Sequence, residues 1–163
     1  MNVTLTRATI EEKPILQNLL SLYIHDLSPY SADLQINDEG RFDYDGLDLY
    51  WKEPSLFPFL IRVDDRIAGF LMLNRPPYAP RDVHYLINEV FILKSYRGTG
   101  VGREVVRQVF DRYPGRYLVL ELEGNLPAIA FWHRMFESLE IPYEETLEDV
   151  HGDRCLLQRF TII

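Results

Sequence analysis

A single cysteine, Cys155, occurs in the 163 residues, so no intramolecular disulfide can form. That excludes a disulfide-stapled secreted scaffold and makes the reducing cytoplasm the simplest location. Cys155 itself reads as a small buried apolar residue. Apolar runs such as Leu56 to Ile61 fall far short of the ~20 residues a membrane helix needs. Met1 to Arg7 has no apolar leader-like stretch, so no signal segment is expected. Net positive charge is also missing. The formal charge of −8 repels phosphate backbones, which argues against nucleic acid as a partner. The four histidines, His25, His84, His133 and His151, are scattered without metal-ligand spacing, so no metal site is expected. Internal repeats, low-complexity tracts and Gly/Ser-rich linkers are absent as well.

What is present fits one globular domain over residues 1–163. Hydrophobic residues make up 47% and charged residues 26%, enough for a core without staples. Val3 to Thr9 reads as a strand. Thr9 and Glu12 have capping-box spacing ahead of a helix with the apolar stripe Leu16, Leu20, Tyr23, Ile24 and Leu27. Residues 30 to 57 are irregular, with a short helix near Leu47 to Trp51. Phe59 to Val63 and Ile67 to Leu73 form a hairpin around Asp64-Asp65-Arg66. Val83 to Leu93 is a long strand, Val101 to Tyr113 a helix and Tyr117 to Leu122 a buried strand. Asn125 caps a further helix with Pro127 in its first turn. Two weaker strands flank Gly152-Asp153. Strand–helix–strand–helix from Val83 to Leu139 implies a parallel crossover, hence an α/β or α+β chain with a mixed sheet.

The loop Arg97-Gly98-Thr99-Gly100-Val101-Gly102 follows a strand and opens a helix. Glycines there allow close approach of a ligand to the backbone, and the unpaired first-turn N–H groups form an anion site aided by the helix dipole. Arg97 adds a positive charge. A P-loop would need Lys-Ser or Lys-Thr after the glycines, which this chain lacks. A dinucleotide fingerprint needs a third small residue, where Arg103 or Val105 stands instead, although Glu121 and Glu123 lie at the distance of a ribose-binding acid.

The loop matches the pattern [QR]-x-x-G-x-[GA], and Asn125-Leu126-Pro127-Ala128-Ile129-Ala130-Phe131 resembles N-x-x-A-x-x-F. Both patterns belong to the GNAT superfamily of N-acetyltransferases, and the chain resembles bacterial acetyltransferases of unassigned substrate. The resemblance implies a largely antiparallel mixed sheet of six to seven strands with about four helices. It also implies acetyl-CoA as co-substrate and transfer of its acetyl group to an amine. Backbone groups of Val90, Phe91 and Ile92 would pair with the pantetheine arm. Main-chain N–H groups of Arg97, Gly98, Thr99, Gly100, Val101 and Gly102 would hold the pyrophosphate, and Asn125 would touch the cofactor. A non-catalytic acyl-CoA sensor is the alternative, because Trp132 stands where many members carry a tyrosine general acid.

Glu89 on the long strand is the first candidate base, with Glu121 on the neighbouring strand second. Tyr96 and Tyr143 are conceivable replacements for the acid. The acceptor is a small-molecule or peptide amine, and the chain a monomer or homodimer. Residues 28 to 57 carry a net charge of −5 interleaved with Tyr30, Phe42, Tyr44, Tyr50 and Trp51. Such a surface suits a cationic amine, through Coulomb attraction and cation–π contact; a solvated acidic loop is the other reading.

Overall fold

The computed structural model describes residues 1–163, and its seven strands join one sheet in the order β1-β2-β3-β4-β5-β7-β6. The strands are β1 Val3–Arg7, β2 Leu56–Val63, β3 Arg66–Asn74, β4 Tyr85–Ile92, β5 Gly115–Leu122, β6 Tyr143–Val150 and β7 Asp153–Ile162. Every neighbouring pair is antiparallel except β4 and β5, the expected parallel crossover. Two hairpin turns are built from left-handed residues, as tight two-residue turns require: Asp64 and Asp65 at φ 48° and 66°, and His151 and Gly152 at 50° and 89°.

Three α-helices cover the sheet: α1 Lys13–Leu27, α2 Val101–Arg112 and α3 Leu126–Ser138. The Thr9 N–H donates to the Glu12 carboxylate at 3.0 Å, so the capping box forms, although it opens a 3-10 turn that then leads into α1. About four helices were expected. The shortfall lies in residues 28–57, where Pro29 and the Asp- and Gly-rich stretch support only two 3-10 turns, Ser28–Tyr30 and Leu47–Trp51.

Helices α2 and α3 pack on one face of the sheet. Val101, Val105, Val106, Val109, Phe110, Trp132, Met135 and Phe136 meet Phe59, Leu71, Ile87, Tyr117, Val119 and Phe160 there. On the other face, Leu16, Leu19 and Leu20 of α1, with Leu47 and Tyr50, pack on Leu60, Phe70, Met72 and Phe91. Close approach of β3 and β4 depends on Gly69, where a Cβ would sit 1.9 Å from the Phe91 carbonyl oxygen. Gly69→Ala is therefore expected to cost about 3 kcal/mol or more, because backbone must shift to admit the methyl. Gly40→Ala, with open space around it despite a φ of 76°, should cost only about 1 kcal/mol. Urea unfolding of both variants checks this; equal midpoints would contradict the packing.

Candidate functional site

Strands β4 and β5 begin side by side and then part. Their pairing covers only Tyr85↔Tyr117 and Leu86↔Leu118, although both strands run on for several residues. Beyond Leu86, the side of β4 that faces β5 has no strand partner, and a cleft opens in the middle of the sheet. On its other side β4 stays paired with β3, with one interruption: Met72 pairs with Glu89 and Leu73 with Ile87, so Asn88 is an extra residue. This β-bulge breaks the alternation of the strand and lets Asn88 and Glu89 both address the α1 face. The Leu93 N–H bonds to Ala68 on β3, and the Phe91 carbonyl lies against Gly69. By alternation, the backbone groups of Val90 and Ile92 then face the cleft, whereas those of Phe91 face β3. The Ile92 carbonyl already accepts from Arg97 Nε at 2.7 Å.

The glycine loop sits at the end of this cleft. Gly98 and Gly100 adopt φ of 73° and 89°, with nothing within 4 Å of where a Cβ would be. Gly102 serves another purpose, since a Cβ there would meet the Phe131 ring of α3 at 2.7 Å. The first intrahelical bond of α2 runs from the Glu104 N–H to the Gly100 carbonyl. The N–H groups of Gly98, Thr99, Gly100, Val101, Gly102 and Arg103 find no acceptor in the chain. Six successive free donors at a helix N-terminus form an anion cradle. The Arg97 guanidinium does not point its charge freely into this cradle. It pairs with Asp26 of α1 at 2.8 Å and lies over the Phe91 ring at 5.5 Å. The loop's attraction for an anion therefore resides in its backbone.

Glu89 is half-buried. Burial pushes its carboxyl up to about 7, against the opposing influence of the Tyr23 and Tyr44 hydroxyls beside it. Tyr44 donates to Glu89 Oε1 at 3.5 Å. Asn88 donates to the Tyr44 oxygen at 3.0 Å and to the Tyr50 oxygen at 3.3 Å. Tyr50 in turn donates to Asn74 at 2.7 Å, and Asn74 to the Tyr78 carbonyl. The Tyr23, Tyr44 and Tyr50 hydroxyls are all pushed upward, chiefly by burial, so they keep their protons. In the sequence Tyr23 stands out only as part of the apolar stripe of α1, and Asn74 and Asn88 carry no signal. The only hint was Tyr44 and Tyr50 standing among the acids of the irregular segment.

Glu121 is not part of this group. It has the alternation of Tyr117 and Val119 and so faces α3, on the opposite side of the sheet from Glu89. It accepts from Gln158 Nε2 at 2.9 Å, and the same nitrogen donates to Glu145, which meets His133 at 2.7 Å. Burial pushes its carboxyl up to about 8. Asn125 caps α3 by accepting from the Ala128 N–H at 3.3 Å. Trp132 is core, 3% exposed, packed between Phe131 and Phe136. Tyr96 packs partly buried against that core, and Tyr143 stacks on Phe136 at 4.4 Å, so neither joins Glu89. The buried Cys155 thiol is pushed up by burial.

Residues 28–57 are tied down at several points. Phe42 N–H donates to Ser21, Trp51 Nε1 to the Ala8 carbonyl, and Lys13 pairs with Asp48. An open cavity of about 240 Å³ lies here, lined by Gln17, Asp43, Tyr44 and Asp45 among others. A larger one, about 490 Å³, lies between the end of α3 and the start of β6, away from Glu89. No three His, Cys, Asp or Glu side chains converge as metal ligands would, and no helix is long and apolar enough to cross a membrane.

The raised carboxyl of Glu89 makes stability depend on pH. The folded chain holds a proton that the unfolded chain releases near 4.5, so this contribution is full below about 4.5 and is lost as pH rises through about 7. Glu89→Gln should therefore be more stable than the wild type at pH 8, by ~1–2 kcal/mol after screening at its half-buried position. The two should converge near pH 4. Urea unfolding across pH checks this, and parallel curves would refute the burial of that charge.

Known proteins add a second line. No curated protein matches the chain in sequence. An acetyltransferase from Thermus thermophilus superimposes with a TM-score of 0.67 at 18% identity, covering 98% of this chain and 96% of that one. Diaminobutyrate acetyltransferase from Paenibacillus lautus, solved with L-2,4-diaminobutyric acid and coenzyme A, gives 0.64 at 15% identity, with 99% and 95% covered. A Bacillus anthracis protein solved in complex with acetyl coenzyme A gives 0.63 at 12% identity, with 100% and 98% covered. These likenesses are of fold. The model of the acetyltransferase (GNAT) family matches residues 18–136, which span the acidic segment, the cleft, the glycine loop and most of α3. With that match over most of its length, the chain belongs to the acetyltransferase (GNAT) family.

Proposed function

We propose that residues 1–163 form one domain that transfers the acetyl group of acetyl-CoA to an amine. The observation that carries this reading is the run of six free N–H groups from Gly98 to Arg103 beside the unpaired backbone of β4. Doubly charged pyrophosphate suits that cradle, and two left-handed glycines with open space around them leave room for it. The pantetheine arm carries two amides, which can bond Val90 and Ile92 as an added strand would. Phe91, with its backbone turned to β3, contributes packing instead. Asn125 holds the start of α3 and would meet the cofactor near the arm.

Acetyl-CoA, when bound, supplies a thioester carbonyl open to attack. The protein's part is to hold it, to exclude water and to take a proton from the amine. An alkylammonium has a pKa of ~10.4, so a base is needed. Glu89, with its carboxyl at about 7, is half ionised at neutral pH and lies half-buried beside the acidic segment, so it is the base we assign. Glu121, on the other face, has no part in this step. For the leaving thiolate, of ~8.5 as a thiol, no acid is required. That fits a chain in which Trp132 is core and the tyrosines near Glu89 hold their protons tightly.

The acceptor we propose is a cationic small-molecule or peptide amine. The segment 28–57 carries a net −5, and Asp43 and Asp45 flank Tyr44 at a cavity beside the site. The diaminobutyrate enzyme of like fold supports this by analogy. We also assign the chain to the cytoplasm, as a monomer or homodimer.

Calorimetry with acetyl-CoA tests the loop. The wild type should bind at micromolar concentrations. Gly100→Glu, which sets a carboxylate in the cradle, should lose at least about 100-fold in affinity at unchanged helical content, whereas Gly100→Ala controls for the strain at φ 89°. A Gly100→Glu variant that binds like the wild type would sink the assignment. For the base, turnover with spermidine, lysine and 2,4-diaminobutyrate is measured at pH 8. Glu89→Gln should lower it about 10²–10⁴-fold with acetyl-CoA affinity within about twofold. Tight binding with no turnover of any amine would favour the sensor instead.

A further inference from the structure

The hydrogen bonds around Glu89 form a chain with a fixed direction. Its end is the Tyr78 carbonyl, which can only accept. Asn74 must therefore present its amide nitrogen to Tyr78 and its oxygen to Tyr50. Tyr50 spends its one proton on Asn74, so its oxygen is left to accept from Asn88. Asn88 gives its second N–H to the Tyr44 oxygen. With its oxygen engaged as an acceptor, Tyr44 has its proton free for one partner; Glu89 Oε1 accepts it at 3.5 Å, with the Tyr50 oxygen, already accepting from Asn88, close beside. Each donor and acceptor in this series has a single consistent role.

We propose that Tyr44, alongside Tyr23 of α1 on the same carboxylate, is a positioning residue for Glu89, and that the chain Tyr78–Asn74–Tyr50–Asn88 fixes the direction of the Tyr44 proton. The proposal rests on the reading of Glu89 as the base. The bulge at Asn88 is what allows it, since a regular strand would send Asn88 and Glu89 to opposite faces. Tyr44 and Tyr50 both come from the acidic segment 28–57. That segment is anchored by buried Leu47 and Tyr50, by Trp51 on the Ala8 carbonyl and by Ser21 on the Phe42 N–H. The carboxylate is thus oriented only while the segment is docked, which joins acceptor-side structure to the competence of the base. The 3.5 Å separation is long, as catalytic contacts often are before substrate arrives. Tyr44 itself touches no reacting atom and works through the carboxylate.

The test reads the Glu89 carboxyl directly, by carbon-13 NMR of protein labelled at the glutamate δ-carbon. Its resonance is assigned by its loss in Glu89→Gln. A hydrogen bond given to the ionised form lowers a carboxyl pKa, so removing the donor must raise it. Tyr44→Phe is expected to move the Glu89 midpoint upward by half a unit or more. Tyr50→Phe, which leaves Tyr44 in place but frees Asn88, should move it in the same direction by less. In acetyl transfer to spermidine, the rising limb of kcat/KM against pH should shift upward with it in Tyr44→Phe. The plateau should fall while the KM for acetyl-CoA stays within about threefold of wild type, as a positioning role requires. A folded Tyr44→Phe variant with an unmoved midpoint overturns the proposal, and so does a Tyr50→Phe shift as large as that of Tyr44→Phe. The NMR arm needs no acetyl-CoA. Failure of the transferase reading would show in calorimetry with acetyl-CoA, separately from failure of the hydrogen-bond chain.

Discussion

Strands β4 and β5 stay together for two residue pairs and then separate, and the backbone groups this leaves unpaired need partners. A sheet normally satisfies its interior strands on both sides. Here β4 is satisfied by β3 alone past Leu86, so an unpaired strand edge is built into the middle of the fold rather than at its rim. Such an edge invites an extended, amide-bearing ligand. The glycine loop lies where β4 hands the chain to α2, so the anion cradle falls at the end of the same open edge. Helices α2 and α3 hold the geometry from one face, with Gly102 and Phe131 in direct contact. Helix α1 holds it from the other, through Asp26 on Arg97 and Tyr23 beside Glu89.

The bulge at Asn88 has a second consequence. It changes which face β4 addresses, so the strand supplies backbone to the cleft while turning Asn88 and Glu89 toward α1 and the acidic segment. Burial there raises the carboxyl to about 7, which costs stability at neutral pH. That cost is of the kind expected where a group is tuned for proton transfer rather than for folding.

Local features of this site were legible in the sequence. The left-handed glycines, the Asn125 cap, the Thr9–Glu12 box and the two hairpin turns each depend on residues within a few positions of one another. Strand and helix order followed from periodicity for the same reason. Legibility ended where register or long-range pairing decides. No pattern in Ile87-Asn88-Glu89 announces a bulge, because the extra residue exists only relative to Met72 and Leu73 on β3. Without it, the face of Glu89 cannot be assigned, nor whether Glu121, two residues along in alternation from Val119, shares that face. Arg97 reads as available to an anion until Asp26, 71 positions away in sequence, comes into reach. Tyr44 looked like one aromatic among several in an irregular segment, and only the folded chain brings its hydroxyl to Glu89.

The central claim is that the free N–H groups of the loop and the open edge of β4 form one binding surface for acetyl-CoA. The most direct measurement is an amide proton–nitrogen NMR titration of the assigned protein with acetyl-CoA, and with NAD in parallel. Saturable shifts are expected with acetyl-CoA at Gly98 through Arg103 together with Val90 and Ile92, and none there with NAD. Acetyl-CoA at millimolar concentration leaving those amides unmoved would contradict it.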